Sequence, residues 1–203
     1  MNHWNELAET ARAAGWVLYP LSALAVAALA IAIDRAYALW RFARVPADVI
    51  ERGAPLIDAL PREHALRRVA PLLDDAAMSL PLLEARVEAA ALRVERDMSR
   101  GLWLLETIVT AAPLVGLLGT IVGMMHSFRL IGGDGLVNPS GVTGGVAQAL
   151  IATAFGLVIA LVALFAFNYF ARRIDQLMDD IEIYANERLA TRRAAAEREV
   201  ATQ

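Results

Sequence analysis

The sequence predicts an all-α integral membrane protein: three transmembrane helices with long cytoplasmic helical extensions. Three observations predict it. Of the 203 residues 58% are hydrophobic, too many for an ordinary soluble domain of this length. Uncharged runs extend from Ala13 to Ile33, from Thr107 to Phe128 and from Gly135 to Ala171, and each covers the roughly 20 residues needed to cross a hydrocarbon core. The second and third runs also carry small and hydroxyl residues at helical spacing, which marks close helix approach inside a bilayer, where leucine is solvated as well by lipid as by another helix.

Each span has its own justification. The first carries Glu6 and Glu9 upstream and Arg35, Arg41 and Arg44 downstream, the reverse of a secretory signal, so Ala28-Leu29-Ala30 is read as part of a retained helix and not as a cleavage site. Between the first two spans, Pro46, Pro55, Pro61, Pro71 and Pro81 break the loop into short helical pieces. After Pro81 the residues Leu83, Val87, Ala90, Val94, Met98, Leu102 and Leu105 recur every three or four positions, which predicts one amphipathic helix running straight into the second span. The third run is steadily apolar from Val146. Beyond it Ile174, Leu177, Met178, Ile181, Ala185 and Leu189 continue a helical stripe, and residues 192–203 are polar enough to fray.

Arginine counts give the direction. Eleven lie from Arg35 to Arg100 and six from Arg172 to Arg198, against only Arg12 and Arg129 elsewhere. The N-terminus is therefore expected outside, with the large loop and the tail in the cytoplasm. The resulting organisation is 1–40, periplasmic N-terminus and first transmembrane helix; 41–102, cytoplasmic helical loop; 103–171, second and third spans with a short periplasmic link; and 172–203, cytoplasmic C-terminal helix.

Composition excludes several chemistries. With no cysteine there is no disulfide or thiolate site, and His3, His64 and His126 are scattered without metal-ligand spacing, so they are read as surface or interfacial residues. All 19 basic residues are arginine. Without lysine neither a Walker A loop nor a Schiff base can form, so Gly132-Gly133-Asp134-Gly135 reads as an outer turn and no enzyme, cofactor or metal is expected. A net charge of −3 argues against a nucleic-acid platform.

The residues of interest lie in one layer. With the second span running outward and the third inward, Thr120 sits eight residues before Phe128, about 12 Å from the outer edge, and Thr153 seven after Val146, about 10 Å from it. Gly116, Gly119, Thr120 and Gly123 form overlapping small pairs on one span, and Ala149, Ala152, Thr153, Gly156, Ala160 and Ala163 form a matching stripe on the other. From spacing alone, the plainer account is that these faces bring two helices together while each threonine bonds its own helix at the i−4 carbonyl. Pro113 frees a carbonyl near Val109 and allows a kink. Gln148 lies inside the third apolar run, which also holds Asn138 and Asn168 toward its ends; it suits a wet passage or the outer interface. Glu106 enters from the cytoplasmic side and snorkels, with a gate or relay role as the alternative. No carboxylate lies inside either core, so a proton pathway there needs a titratable group from another chain.

In Ala112-Pro-Leu-Val-Gly-Leu-Leu-Gly-Thr-Ile-Val-Gly-Met-Met-His-Ser-Phe128, and again in Val146-Ala-Gln-Ala-Leu-Ile-Ala-Thr-Ala-Phe-Gly-Leu157 followed by Phe167-Asn168, the chain resembles the MotA/TolQ/ExbB proton-channel family, and within it the ExbB-type biopolymer transport proteins. The resemblance implies a homo-oligomeric ring in the inner membrane, pentameric in the ExbB branch, around single-span helices of an ExbD-like partner that brings the missing aspartate. It places Thr120 and Thr153 at positions lining the proton route, and implies force delivered to a TonB-like protein for outer-membrane uptake. Moving one charge supplies about 2.3 kcal/mol per 100 mV, so each step is small and repeated. Gln148 stands where many members have glutamate, and Val162 where many have proline after the third-span glycine. The competing readings are a TolQ-like subunit of the Tol-Pal envelope system and a non-conducting membrane scaffold; a flagellar stator subunit fits less well because that branch has a fourth span.

Overall fold

The computed structural model describes residues 15–42, 64–73, 78–129 and 139–201, and among these every regular element is helical. A 3-10 turn, Gly15–Val17, leads into α1, Leu18–Phe42; then follow α2, Ala65–Leu73, α3, Leu80–Met98, α4, Leu102–Arg129, and α5, Pro139–Ala201. Three helical stretches are long and apolar enough to cross a membrane: Leu18–Arg41, Leu102–Phe128 and Val142–Ala195. The third reaches past the charge-free run because α5 continues unbroken into its charged half. His3, Arg12, Pro46, Pro55, Pro61 and the Gly132 to Gly135 turn lie outside the described residues.

The chain divides into two compact units. The first comprises Met1–Ala32 and Gly101–Asn168. Pro20 falls in the first turn of α1, where its missing N–H has no intrahelical partner to lose. Val17 and Leu21 are buried with Ala152 of α5, and Leu18, Val115 and Ile159 pack around them. Most large side chains of this unit nevertheless stay uncovered within a single copy, Leu114 at 65% and Phe165 at 68% exposure, as lipid-facing or subunit-facing helices require.

The second unit comprises Ile33–Arg100 and Tyr169–Gln203. Its core joins Leu66, Val69 and Leu73 of α2 to Leu83, Val87 and Val94 of α3 and to Leu177, Ile181, Tyr184 and Leu189 of α5. The tail stripe expected from the sequence therefore packs within the same chain. α2 is one of the short helical pieces that the loop's prolines predict, with Pro71 two residues before its end. His64, read as a surface or interfacial residue, is 1% exposed beside the docked α2, and its Nδ1 accepts the backbone N–H of Leu66 at 3.3 Å. The Arg193–Glu84 pair is solvent-exposed and contributes little to stability.

The helix expected to run unbroken from Pro81 into the second span is two helices. Ser99 ends α3, its N–H donating to the Glu95 carbonyl at 2.8 Å, and Gly101 adopts φ +80° before α4 begins. The apolar periodicity survives the break because it belongs to two cores: Leu83, Val87 and Val94 are buried in the second unit, Leu102 and Leu105 in the first. Glycine takes this φ without steric cost. Gly101→Ala adds the left-handed penalty, about 1–2 kcal/mol, and a Cβ 3.3 Å from Ile31 Cγ2. The expected result is a lower unfolding temperature in detergent with unchanged helix content by circular dichroism.

The end of α3 is satisfied by an arginine. Arg35 Nη1 donates to the carbonyls of Asp97 at 3.0 Å and Met98 at 3.1 Å, while its other nitrogens hold the Asp34 carboxylate. Both carbonyls belong to the last turn of α3, where a cation meets the negative end of the helix dipole. The Arg35 side chain is only 12% exposed. Arg35→Met keeps the stem and removes both hydrogen bonds from a charged donor, so thermal unfolding should show a loss of about 1–3 kcal/mol; Asp34→Asn, at an exposed carboxylate, should change it far less.

A cleft of about 430 Å³ is lined by Tyr37, Trp40, Tyr169, Arg173, Gln176 and Asp180. Nine residues beyond the charge-free run, the Asp180 carboxyl is raised above its ordinary value by partial burial and then by repulsion from Asp179. A carboxyl that is harder to ionise in the folded chain weakens folding above its folded-state pKa, and this penalty fades as the pH falls through the carboxylate range. Asp180→Asn is accordingly expected to raise the unfolding temperature at neutral pH, with the gain shrinking on acidification.

Candidate functional site

The site is built on the seam between α4 and α5, which exists because small residues meet there in register. A Cβ added to Gly116 would lie 3.0 Å from both the Ala152 carbonyl oxygen and Thr153 Cα. One added to Gly119 would lie 2.7 Å from Ala152 Cβ, and one added to Gly123 2.9 Å from Ala149 Cβ. At Gly156 the added atom would stand 2.5 Å from the Ala112 carbonyl oxygen, closer than any real contact. The backbones therefore touch, as small-residue seams in membranes allow. Val17 joins them, its Cγ1 3.0 Å from the position of a Gly119 Cβ.

Thr153 lies on this seam and Thr120 stands four residues past Gly116 on α4, and the two behave differently. Thr153 Oγ1 donates across it to the Gly116 carbonyl at 3.0 Å. Thr120 Oγ1 donates within α4, to Leu117 at 2.6 Å, an i−3 bond. The plainer expectation, with each hydroxyl on its own helix at i−4, thus fails for Thr153, because Gly116 has no side chain to keep the α5 hydroxyl from its carbonyl. In the α-helical ladder the Gly116 carbonyl also accepts the Thr120 N–H. One backbone group thereby links both residues, and both are half-buried.

The other residues singled out in the sequence fall around this pair. Pro113 is half-buried within α4, one residue past Ala112, and the helix continues through it. Gln148 is half-buried one residue from buried Ala149. Glu106 is exposed in the first turns of α4, away from the glycine contacts. Among the described residues no group of histidines and carboxylates is arranged to hold a metal.

Sequence reasoning missed the end of the seam nearest Phe128. Ser127 is 2% exposed, its hydroxyl donating to the Gly123 carbonyl at 2.9 Å, and a Cβ on Gly145 would stand 2.0 Å from its Oγ. The signal was there. Gly145 precedes Ala149 by four residues and Ser127 follows Gly123 by four, so each stripe extends one further turn.

Comparison with known proteins addresses the whole arrangement. A sequence profile of the MotA/TolQ/ExbB proton channel family matches residues 62–183, which includes all of α4 and the apolar half of α5. The chain belongs to that family. An ExbB-like protein of Synechocystis is 34% identical over 182 residues, covering 78% of this chain and 81% of that protein. The biopolymer transport protein ExbB of Aquifex aeolicus is 35% identical over 95 residues, 47% of this chain and 64% of that one. The ExbB of Xanthomonas campestris is 34% identical over 105 residues, where the match spans 42% of its length. Family membership and three apolar helices make this a multi-pass membrane protein of the proton-channel class.

Proposed function

We propose that this chain is the ring-forming channel or stator subunit of an ExbB-ExbD type motor, which couples the proton motive force across the inner membrane to TonB-dependent outer-membrane transport. One observation carries the reading: across a tight, uncharged seam the Thr153 hydroxyl reaches Gly116, four residues before Thr120 on the other span, in a chain with no acid inside either core. Such a seam guides protons only past somebody else's carboxyl group, so an ExbD-like single-span partner supplies an aspartate to the Thr120 and Thr153 layer. Copies of this chain, five in the ExbB-like arrangement, surround the partner helices. Gln148 contributes a neutral polar group toward the outer mouth, and Glu106 stands at the inner one.

Support for the orientation is the arginine distribution, which puts the N-terminus in the periplasm and the α3 and α5 extensions in the cytoplasm. Support for the output is the name of the relatives in Aquifex and Xanthomonas, biopolymer transport protein.

The test is co-expression with the single-span partner, followed by subunit counting by native mass spectrometry and proton uptake in liposomes. A ring retaining partner helices and conducting only in their presence is expected. A chain that stays monomeric and never retains the partner overturns the reading, and a loaded ring that leaks no more than empty liposomes identifies a scaffold. Failure to pull down a TonB-like protein, with a Tol-type one captured instead, reassigns the output to the envelope system.

A further inference from the structure

A hydroxyl has one hydrogen to give and two lone pairs to receive with. In this chain both hydrogens at the site are already engaged: Thr120 donates to the Leu117 carbonyl at 2.6 Å and Thr153 to the Gly116 carbonyl at 3.0 Å. Turning either hydrogen toward an incoming group first breaks the bond it already makes. What each oxygen still offers is lone pairs.

We infer that the Thr120 and Thr153 pair presents only hydrogen-bond acceptors to a carboxyl group entering its layer, and so binds the protonated acid in preference to the carboxylate. This rests on the reading above that a partner's aspartate visits that layer. A neutral carboxylic acid donates its O–H to a threonine oxygen; a carboxylate brings lone pairs against lone pairs. The site therefore favours the neutral form, in the same direction as desolvation, and raises the pH at which the acid ionises. Ionisation also loosens the contact. The threonine pair thus works as a reader of protonation state: it keeps the loaded acid in place and lets go when the proton leaves, which ties each step of the partner helix to one proton. The seam makes the device rigid, because the carbonyl that engages Thr153 belongs to Gly116, which is itself pressed against the backbone of Ala152 and Thr153.

The experiment uses the intact complex in lipid nanodiscs with ¹³C-labelled aspartate in the partner, its carboxyl titrated by infrared or NMR spectroscopy, alongside proton flux in liposomes. Thr120→Val and Thr153→Val are each expected to lower the ionisation midpoint by about one pH unit, the worth of one hydrogen bond. Thr120→Ser and Thr153→Ser, which keep the oxygen, should restore it. Thr120→Val breaks no bond between α4 and α5, so it remains decisive if Thr153→Val assembles poorly. A midpoint that rises in the valine variants shows that the hydroxyls donate to the carboxylate, and overturns the inference. A midpoint that stays put while flux falls overturns it too, yet leaves the proton route at the threonines standing. If midpoint and flux are both unchanged in the loaded complex, the proton route itself lies elsewhere.

Discussion

Gly156→Leu is expected to abolish the association of α4 with α5, and with it any assembly built on that seam. No flexible neighbour can yield there: the first atom a side chain meets is the Ala112 backbone oxygen at 2.5 Å, followed by Gly116 Cα at 3.1 Å. Even Gly156→Ala must push two helices apart along their tightest line, an overpacking cost of about 1–3 kcal/mol, whereas leucine adds three further carbons that have no space. The readout is size-exclusion behaviour and thermal unfolding of the purified protein, with alanine lowering the midpoint and leucine yielding no folded species. Gly144 supplies the contrast, since nothing lies within 4 Å of its added Cβ. Gly144→Ala should match or slightly exceed the parent, because a helical glycine without a packing role costs about 0.5–1 kcal/mol relative to alanine. Equal damage at both positions would mean that the seam does not govern assembly.

The second large effect separates function from folding. Thr153→Val removes one hydroxyl bond across the seam at nearly constant shape, and such bonds between membrane helices average about 0.6 kcal/mol. The chain should fold, form its oligomer and retain its partner. Proton flux, in contrast, is expected to fall at least about tenfold, which corresponds to only about 1.4 kcal/mol of barrier. Thr120→Val should behave alike despite having no partner across the seam. Normal flux in both assembled variants would remove the threonines from the route.

These two experiments probe parts of the molecule that were unequally legible. The stripe Gly116, Gly119, Gly123 and its counterpart Ala149, Ala152, Gly156 could be read from spacing, because lipid supplies no reason for small residues except close approach. That Gly156 faces the Ala112 carbonyl could not, since it depends on how far one helix slides along another 40 or so residues away, a relation that helical periodicity leaves open. The same holds for Thr153, whose hydroxyl has an acceptor on its own helix and reaches another instead. Around α3 the error had a different origin. An unbroken apolar rhythm from Leu83 to Leu105 cannot reveal that it serves two cores, and only the φ of Gly101 parts them. His64 was misplaced because a lone histidine carries no periodic pattern, and its burial follows from where α2 docks.

The linear chain by itself determined three apolar helices, their small-residue faces, the absence of any acid within the second and third cores, and membership of a family recognisable in the motifs around Thr120 and Thr153. These follow from composition and local repeat, because burying a backbone in hydrocarbon constrains every residue of a span. Tertiary structure alone decided which carbonyl takes the Thr153 hydroxyl, that Arg35 completes the end of α3, and that the helix breaks at Gly101. Each of these is a meeting of distant residues, or of a backbone with its surroundings, and no local pattern encodes the registry that brings them together.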